Sequence, residues 1–353
     1  MERIELAAGY NISRVIKGSW QLGGGHGAVD PNEAMRTMRA YVEAGITTFD
    51  CADIYAGVEA LIGRFLRAER DAIRRGDLAP VQVHTKCVPD LDDLPNLRES
   101  DIVAIIDRSL ERLGVGALDL VQLHWWDYEI PGYLEAAEWL ERQRQAGKIR
   151  HVGLTNFDAA HVGEILDAGI PIVANQVQYS ALDHRPEHEL ASACLERDVS
   201  LLCYGTVAGG LLSERYRGAP SPETPYENRS LTKYALIVEE FGGWSAFRQQ
   251  LEVLSAVAER HGVGIAMVAS RYVLQQRAVA GVIVGTRSER HLAESAGLTD
   301  FALSTEDIEA IRSVAARSLG PTGPVYGLER IPGGRHAAIM KMNLHRGNGR
   351  PPA

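Results

Sequence analysis

Four side chains have the types and spacing for proton transfer to a substrate oxygen. Asp50 ends one short apolar run and Tyr55 follows five residues later; Lys86 ends a second run and His124 a third. A carbonyl carbon that receives a hydride becomes an alkoxide and needs a proton in the same transition state. Tyr, with an ordinary pKa of about 10, is a poor acid near neutrality, and a nearby ammonium favours the phenolate and lowers that value. In this scheme Tyr55 delivers the proton, Lys86 supplies the charge and Asp50 holds Lys86 protonated and in place. His124 hydrogen-bonds the substrate oxygen and fixes its orientation. Singly, each residue has a plainer reading. A buried Lys–Asp pair is more often structural, a strand-end His more often a satisfied core histidine, and a loop Tyr more often a surface aromatic. Their joint placement is what favours chemistry.

The four can meet only if separate strand ends reach one rim. The chain alternates short apolar runs with helical periods. The candidate strands are Val15–Trp20, Thr47–Asp50, Val81–Lys86, Leu118–His124, His151–Thr155, Ile172–Gln176, Leu201–Tyr204 and Val279–Val284. They read as near-continuous apolar runs, as parallel strands covered by helices do. Asp30-Pro31 opens a helix, with Asp30 as N-cap, Pro31 at the first helical position and Glu33 three residues after the cap. Met35, Met38 and Val42 then share one face, and Gly45 suits the stop. Ser100–Leu113 carries an apolar stripe of Ile102, Ile105, Ile106, Leu110 and Leu113 at a helical period. Further helices are predicted over Pro131–Gln145, Ala159–Asp167, Pro186–Arg197, Gly264–Gln276 and Ser288–Gly297, and Ser304 caps a last one that ends at Gly320. Strand-then-helix units with right-handed crossovers close into a (β/α)8 TIM barrel, whose reactive face is the C-terminal end of its strands. A doubly wound open sheet is the alternative that strand count alone does not exclude. Residues 1–320 therefore read as one barrel domain with a long loop, Ser213–Gly243, after the seventh strand. Pro220, Pro222 and Pro225 argue against regular structure in the first half of that loop. Residues 321–353, rich in Gly, Pro and basic residues, read as a C-terminal extension packed on or near the rim.

The 353 residues are 45% apolar and 24% charged, ordinary globular usage that leaves ample material for a core. A formal net charge of −9 argues against a general nucleic-acid or membrane-surface binder. A local basic pocket for a small anion remains compatible with it. Met1–Tyr10 carries Glu2 and Glu5 without a long apolar run, so no secretory signal is expected. No stretch approaches the roughly 20 apolar residues of a membrane span. Cys51, Cys87, Cys194 and Cys203 are scattered, which predicts reduced thiols and a cytoplasmic protein, monomeric or a small homo-oligomer.

The run Gly45-Ile-Thr-Thr-Phe-Asp50-Cys-Ala-Asp-Ile-Tyr55-Ala-Gly-Val-Glu59 resembles the aldo-keto reductase signature G-x-x-x-F-D-x-A-x-x-Y-G-x-x-E, with Ala56 where Gly is usual. His-Thr-Lys86 and Asp119-Leu-Val-Gln-Leu-His124 fit the strands that carry the family's lysine and histidine. The resemblance implies a catalytic tetrad of Asp50, Tyr55, Lys86 and His124, and hydride transfer between a nicotinamide and a carbonyl or alcohol. Gly147-Lys-Ile-Arg-His-Val-Gly-Leu-Thr155-Asn156-Phe and Asn175-Gln176-Val-Gln-Tyr resemble the family's cofactor segments. They imply that Thr155, Asn156 and Gln176 contact the nicotinamide carboxamide and that Tyr204 stacks beneath its ring. Trp20, Asp50, Gly205, Thr206, Gly210 and Leu211 complete that end of the implied cofactor site. At the other end, Val284, Gly285, Thr286, Arg287, His291, Glu294 and Ser295 fall where the family binds an adenosine 2′-phosphate at a loop and helix start. The best-known members carry Lys, Ser, Arg and Asn where Gly285, Thr286, His291 and Ser295 align. The implied cofactor is NADP(H), with NAD(H) as the alternative. Arg287 and Arg290 also read as solvated surface charges.

Trp20, Tyr55, His124, Trp125 and Trp126 are the expected substrate contacts. With Trp244 near the rim they point to an apolar or aromatic carbonyl pocket, against plain packing as the simpler reading. Tyr326 of the extension is expected to cover that pocket. The Gly23–Ala28 run formally fits G-x-G-x-x-A, but its helix begins beyond the glycines, so it reads as a loop beside the cofactor. His184 and His188 have metal-ligand spacing without an evident third ligand. A cofactor-binding regulatory or accessory protein with little turnover is the rival function, since fold alone does not prove turnover.

Overall fold

A computed structural model describes residues 1–24, 27–285 and 287–345 of the chain. Thr286, Gly25 and His26, which belong to the expected cofactor loops, lie outside the described residues. Two short strands come first, β1 (Arg3–Ala7) and β2 (Tyr10–Ser13), paired as an antiparallel hairpin. Eight parallel strands follow: β3 (Val15–Gly18), β4 (Thr48–Asp50), β5 (Gln82–Cys87), β6 (Leu118–His124), β7 (Ile149–Thr155), β8 (Ile172–Gln178), β9 (Ser200–Tyr204) and β10 (Val279–Gly285). They close in the order β10-β3-β4-β5-β6-β7-β8-β9, the (β/α)8 barrel expected, and not an open sheet.

Alternation along the strands builds the barrel in layers. Ile16, Leu120, Ala174, Leu202 and Ala280 form one apolar cluster with Leu6, Tyr10 and Ile12 of the hairpin. The sequence reading did not foresee this hairpin, which packs against the end of the barrel where the strands begin. The Tyr10 hydroxyl is hydrogen-bonded to His84 Nε2 at 3.0 Å. Because side chains of a strand repeat every second residue, the same inward face carries Gln122 and His124 above Leu120, Gln176 above Ala174, Tyr204 above Leu202 and Lys86 above His84. The interior therefore changes from apolar at the hairpin end to polar at the opposite rim.

Helices cover the outside. Pro31–Glu43 starts at the Asp30 cap, whose carboxylate accepts from the Asn32 N–H, and it buries Met38 and Val42. Glu99–Leu113 buries Ile102, Ile105, Ile106 and Leu113. Of the long loop after β9, residues 217–228 carry no helix or strand, as the prolines imply, but Arg229–Phe241 is helical. A nineteen-residue helix, Gly243–His261, was not anticipated. Thr305–Ala315 begins at a Ser304–Asp307 capping box and stops five residues short of the expected Gly320. The extension then crosses the rim, with a short turn of helix at Leu328–Arg330 and another at Arg335–Ala338. Among the described residues no helix is long and apolar enough to cross a membrane.

Candidate functional site

The ends of β4, β5 and β6 bring three of the four expected residues together inside the rim. Lys86 Nζ donates to both Asp50 carboxylate oxygens, at 2.8 and 2.9 Å, and to the Cys51 carbonyl at 2.8 Å. The pair is nearly sealed from solvent. Burial pulls the ammonium's pKa down, but the Asp50 charge and hydrogen bonds, with Tyr55 and Cys51 adding to them, outweigh it, so Lys86 is held above its ordinary range. Gln176 Nε2 donates to Asp50 Oδ1 at 2.6 Å and to Gln122 Oε1 at 3.2 Å, so Gln122 joins the network. It was not singled out from the sequence.

Tyr55 follows β4 in a turn closed by its own N–H to the Ala52 carbonyl and by Val58 N–H to the Tyr55 carbonyl. Its ring centroid lies 5.4 Å from Lys86 Nζ. The expected depression of the phenol's pKa does not occur. Burial outweighs the pull of Lys86, and Asp50, Cys51 and Asp53 push the same way as burial, so the phenol is raised to about 12. The group stays protonated at neutral pH, the state a donor needs.

His124 is buried, and that burial, with Arg330 adding to it, lowers its pKa to about 3. Its Nδ1 lies 3.2 Å from the Thr155 carbonyl. A carbonyl oxygen only accepts, so Nδ1 carries the proton and Nε2 keeps its lone pair. The imidazole is edge-on to Trp126, with centroids 4.3 Å apart, and perpendicular to Tyr326 at 5.3 Å.

The aromatic expectations divide. Trp20 is 39% exposed and its ring meets Tyr55 edge-on at 5.0 Å, on the open side of the site. Trp126 touches His124 and donates to the Pro89 carbonyl. Trp125 is a correction: its indole is fully buried, donates to the Ile130 carbonyl and packs on Tyr133, so it is part of the core and not a pocket wall. Trp244, half-buried, packs against Phe247 and Tyr216 in the segments after β9 and lines a small pocket there with Leu211 and Tyr226. Tyr326 does reach the site. It holds a left-handed φ of 59°, costly for a non-glycine residue, in a segment fixed from several sides. Arg330 donates to the Trp125 and Asn156 carbonyls, while the buried Glu329 lies between Arg185 and Lys233. Lys233, which the sequence reading missed, sits 5.1 Å from the Tyr204 ring centroid.

Several residues could hold a dinucleotide. Asn156, at φ 63°, accepts from the Tyr204 hydroxyl through Oδ1 at 2.8 Å, and the Thr155 hydroxyl donates to the Gln176 carbonyl. These residues lie side by side at the ends of β7, β8 and β9. Further along the rim an open cleft of about 550 Å³ is lined by Gln21, Gly285, Arg287, Ser288, Arg290 and His291, among others. Arg287, Arg290 and His291 of this lining are basic or can become so, Glu227 is its acidic member, and the two guanidiniums fit a phosphate group. Arg287 also donates to the Ala28 carbonyl, bridging this cleft to the loop after β3. Val284 is half-buried just before it, and His291 pairs with Glu294. The remaining expected contacts are turned inward. Thr206 is bonded to Ser270, Leu211 is core, and Ser295 is buried facing Tyr41. A side chain at Gly205 would run into Tyr234, so this glycine makes room for the helix Arg229–Phe241, whereas Gly210 faces open space. His184 pairs with Glu187 and bonds the Ala181 carbonyl.

The sequence profile of the Aldo/keto reductase family matches residues 14–316. Aldo-keto reductase YhdN of Bacillus subtilis (strain 168) is 26% identical over 336 residues, covering 92% of this chain and 97% of that protein. The NADH-specific methylglyoxal reductase of Escherichia coli (strain K12) is 24% identical, covering 86% of this chain and 95% of its own. Among solved structures, the glycerol dehydrogenase AKR11B4 from Gluconobacter oxydans superposes with a TM-score of 0.72 over 89% of this chain and 95% of its own; at 24% identity that likeness concerns the fold. With the profile running through nearly the whole barrel, the chain belongs to the aldo/keto reductase family.

Proposed function

We propose that the protein is an NADP(H)-dependent carbonyl reductase, or in reverse an alcohol dehydrogenase, with Tyr55 as the proton donor and acceptor. The observation that carries this reading is the buried Lys86–Asp50 pair set beside the Tyr55 ring, with a neutral His124 on the same rim. A bound nicotinamide would supply or take the hydride. The protein groups do the rest. Tyr55 gives its hydroxyl proton to the substrate oxygen as negative charge develops there. The Lys86 ammonium stabilises the phenolate left behind, and Asp50 keeps that ammonium charged. The neutral His124 ring, fixed by its Nδ1–H bond to the Thr155 carbonyl, bounds the place of the substrate oxygen beside Tyr55. Family membership alone does not choose between the two cofactors, since one relative is named for NADH. The guanidiniums of Arg287 and Arg290 at the cleft support the phosphorylated one.

The test is NADPH consumption with a panel of aldehydes and ketones that includes 4-nitrobenzaldehyde, repeated with NADH. Tyr55→Phe is expected to keep cofactor affinity and to lower turnover at least about 100-fold. A mutant that turns over at the wild-type rate would remove Tyr55 from the mechanism. Cofactor binding without reaction of any carbonyl or alcohol would favour an accessory, cofactor-binding role.

A further inference from the structure

Two residues before Tyr55, the Asp53 side chain is wholly buried, and it joins the far end of the chain to the turn that presents the phenol. Asp53 Oδ2 accepts from the Val88 N–H at 3.4 Å and lies 3.0 Å from His345 Nε2. Oδ1 has no hydrogen-bond partner among the described residues. The Asp53 carbonyl is pinned separately by Arg112, which also pairs with Glu59. His345 is not a chance neighbour. Leu91 N–H donates to the Met342 carbonyl at 2.9 Å and Asp92 N–H to Asn343 Oδ1 at 3.0 Å; Leu344 and His345 N–H both donate to Asp90 Oδ1, at 2.8 and 3.0 Å. The strap 342–345 is thus laid along the loop after β5, the strand that delivers Lys86.

A buried carboxylate without a cation is strongly unfavourable. Among the described residues, His345 is the basic side chain within ion-pairing distance of Asp53, a cation only when protonated. Its Nε2 also lies 3.1 Å from the Val88 carbonyl, which only accepts, so Nε2 carries a proton. Asp53, Asp90 and Arg108 are the charged groups acting on the imidazole, and Arg108 lies 3.5 Å from Nδ1. Burial pulls the imidazole down, but Asp53, with Asp90 adding to it, outweighs burial and the opposing Arg108, so the ring is raised toward its charged form. Asp53 is in turn one of the negative charges acting on the Tyr55 phenol.

We propose that His345 is a positioning residue for the tetrad: its Nε2–H clamps the buried Asp53 carboxylate and holds the turn that presents Tyr55, and when protonated the ring also cancels a negative charge beside the phenol. The electrostatic half rests on Tyr55 being the proton donor; the clamp does not.

The experiment compares full-length His345→Ala and His345→Gln with wild type by two readouts. One is amide hydrogen exchange of the peptide spanning residues 51–59; the other is the pH dependence of kcat. The Tyr55 and Val58 amides close the turn, so His345→Ala is expected to speed exchange there by about 10-fold or more. It is also expected to lower kcat by roughly 10-fold with cofactor and carbonyl KM nearly unchanged, because misplacing the donor is a transition-state effect. Gln keeps the Nε2 donor without the charge. His345→Gln should hold exchange near wild type yet move the apparent pKa of alcohol oxidation upward by about half a unit or more. Unchanged exchange in His345→Ala overturns the clamp, and a His345→Gln pH profile that overlays wild type overturns the charge balance. If Tyr55→Phe proves fully active, the proton-donor reading falls, and the exchange measurement still decides the clamp.

Discussion

Tyr55 is caught between two effects of opposite sign, and burial is the larger. Lys86 acts on the phenol across 5.4 Å from its ring centre, and in the proposed mechanism it stabilises the phenolate once the proton has left. The same pair divides stability from catalysis. Lys86→Met leaves Asp50 as a buried charge without its cation and is expected to destabilise the fold by about 3–5 kcal/mol while abolishing turnover. Adding Asp50→Asn removes the stranded charge, so the double variant should recover most of the lost stability but none of the activity. Urea unfolding beside steady-state kinetics separates the two, and a double variant as unstable as Lys86→Met would mean the charge was not the cause. Asp50, Tyr55, Lys86 and His124 were legible in the sequence because each ends or closely follows an apolar run. Trp125 was misread because an aromatic next to a rim histidine can turn either way, and here it turns into the core.

At the scale of elements, two-residue alternation made the barrel readable. It makes Leu120, Gln122 and His124 rise along one inward face from the apolar floor to the chemistry. The hairpin β1–β2 escaped notice because its strands are short and their alternation spans few residues. Its buried link can be tested alone. Tyr10→Phe removes the hydroxyl bonded to His84 Nε2 and should cost about 1–3 kcal/mol, with kcat unchanged because the bond lies at the far end of the barrel. Wild-type thermal stability in that variant would show the bond to be idle. The Gly243–His261 helix was missed for another reason: it buries Gln250 and Ser255 among its apolar residues, which blurs the stripe that periodicity detects. The tail contacts could not be read from one sequence at all. Arg185 and Glu329 are 144 residues apart and Asp53 and His345 are 292 apart, and nothing local marks such partners.

For the whole molecule, pH is the revealing variable. Burial holds His84 and His124 neutral, each at about 3 against an ordinary 6.5. Between those values the unfolded chain binds protons that the folded chain refuses, so stability falls as pH drops from about 6.5 toward 3. Glu187, where burial is outweighed by His184, Tyr179 and Arg312 together and the carboxyl sits at about 2, loses its contribution only below its ordinary 4.5. Among these groups the histidines act first as the pH falls below 6.5. His345 runs the other way, since its raised value gives stability that is complete below 6.5 and lost at higher pH. A urea midpoint that drops between pH 7 and 4.5 in wild type, and drops less in His84→Gln, is the expected result. Identical drops would clear His84 of responsibility.

The Lys86 ammonium has three hydrogens and three acceptors, the two oxygens of Asp50 and the carbonyl of Cys51. None is left to pass along. In the proposed mechanism Lys86 therefore acts on the neighbouring ring as a fixed field rather than as a link in a proton wire, and the hydrogen that Tyr55 gives away returns from the mouth of the barrel, where Trp20 stands 39% exposed against the phenol ring.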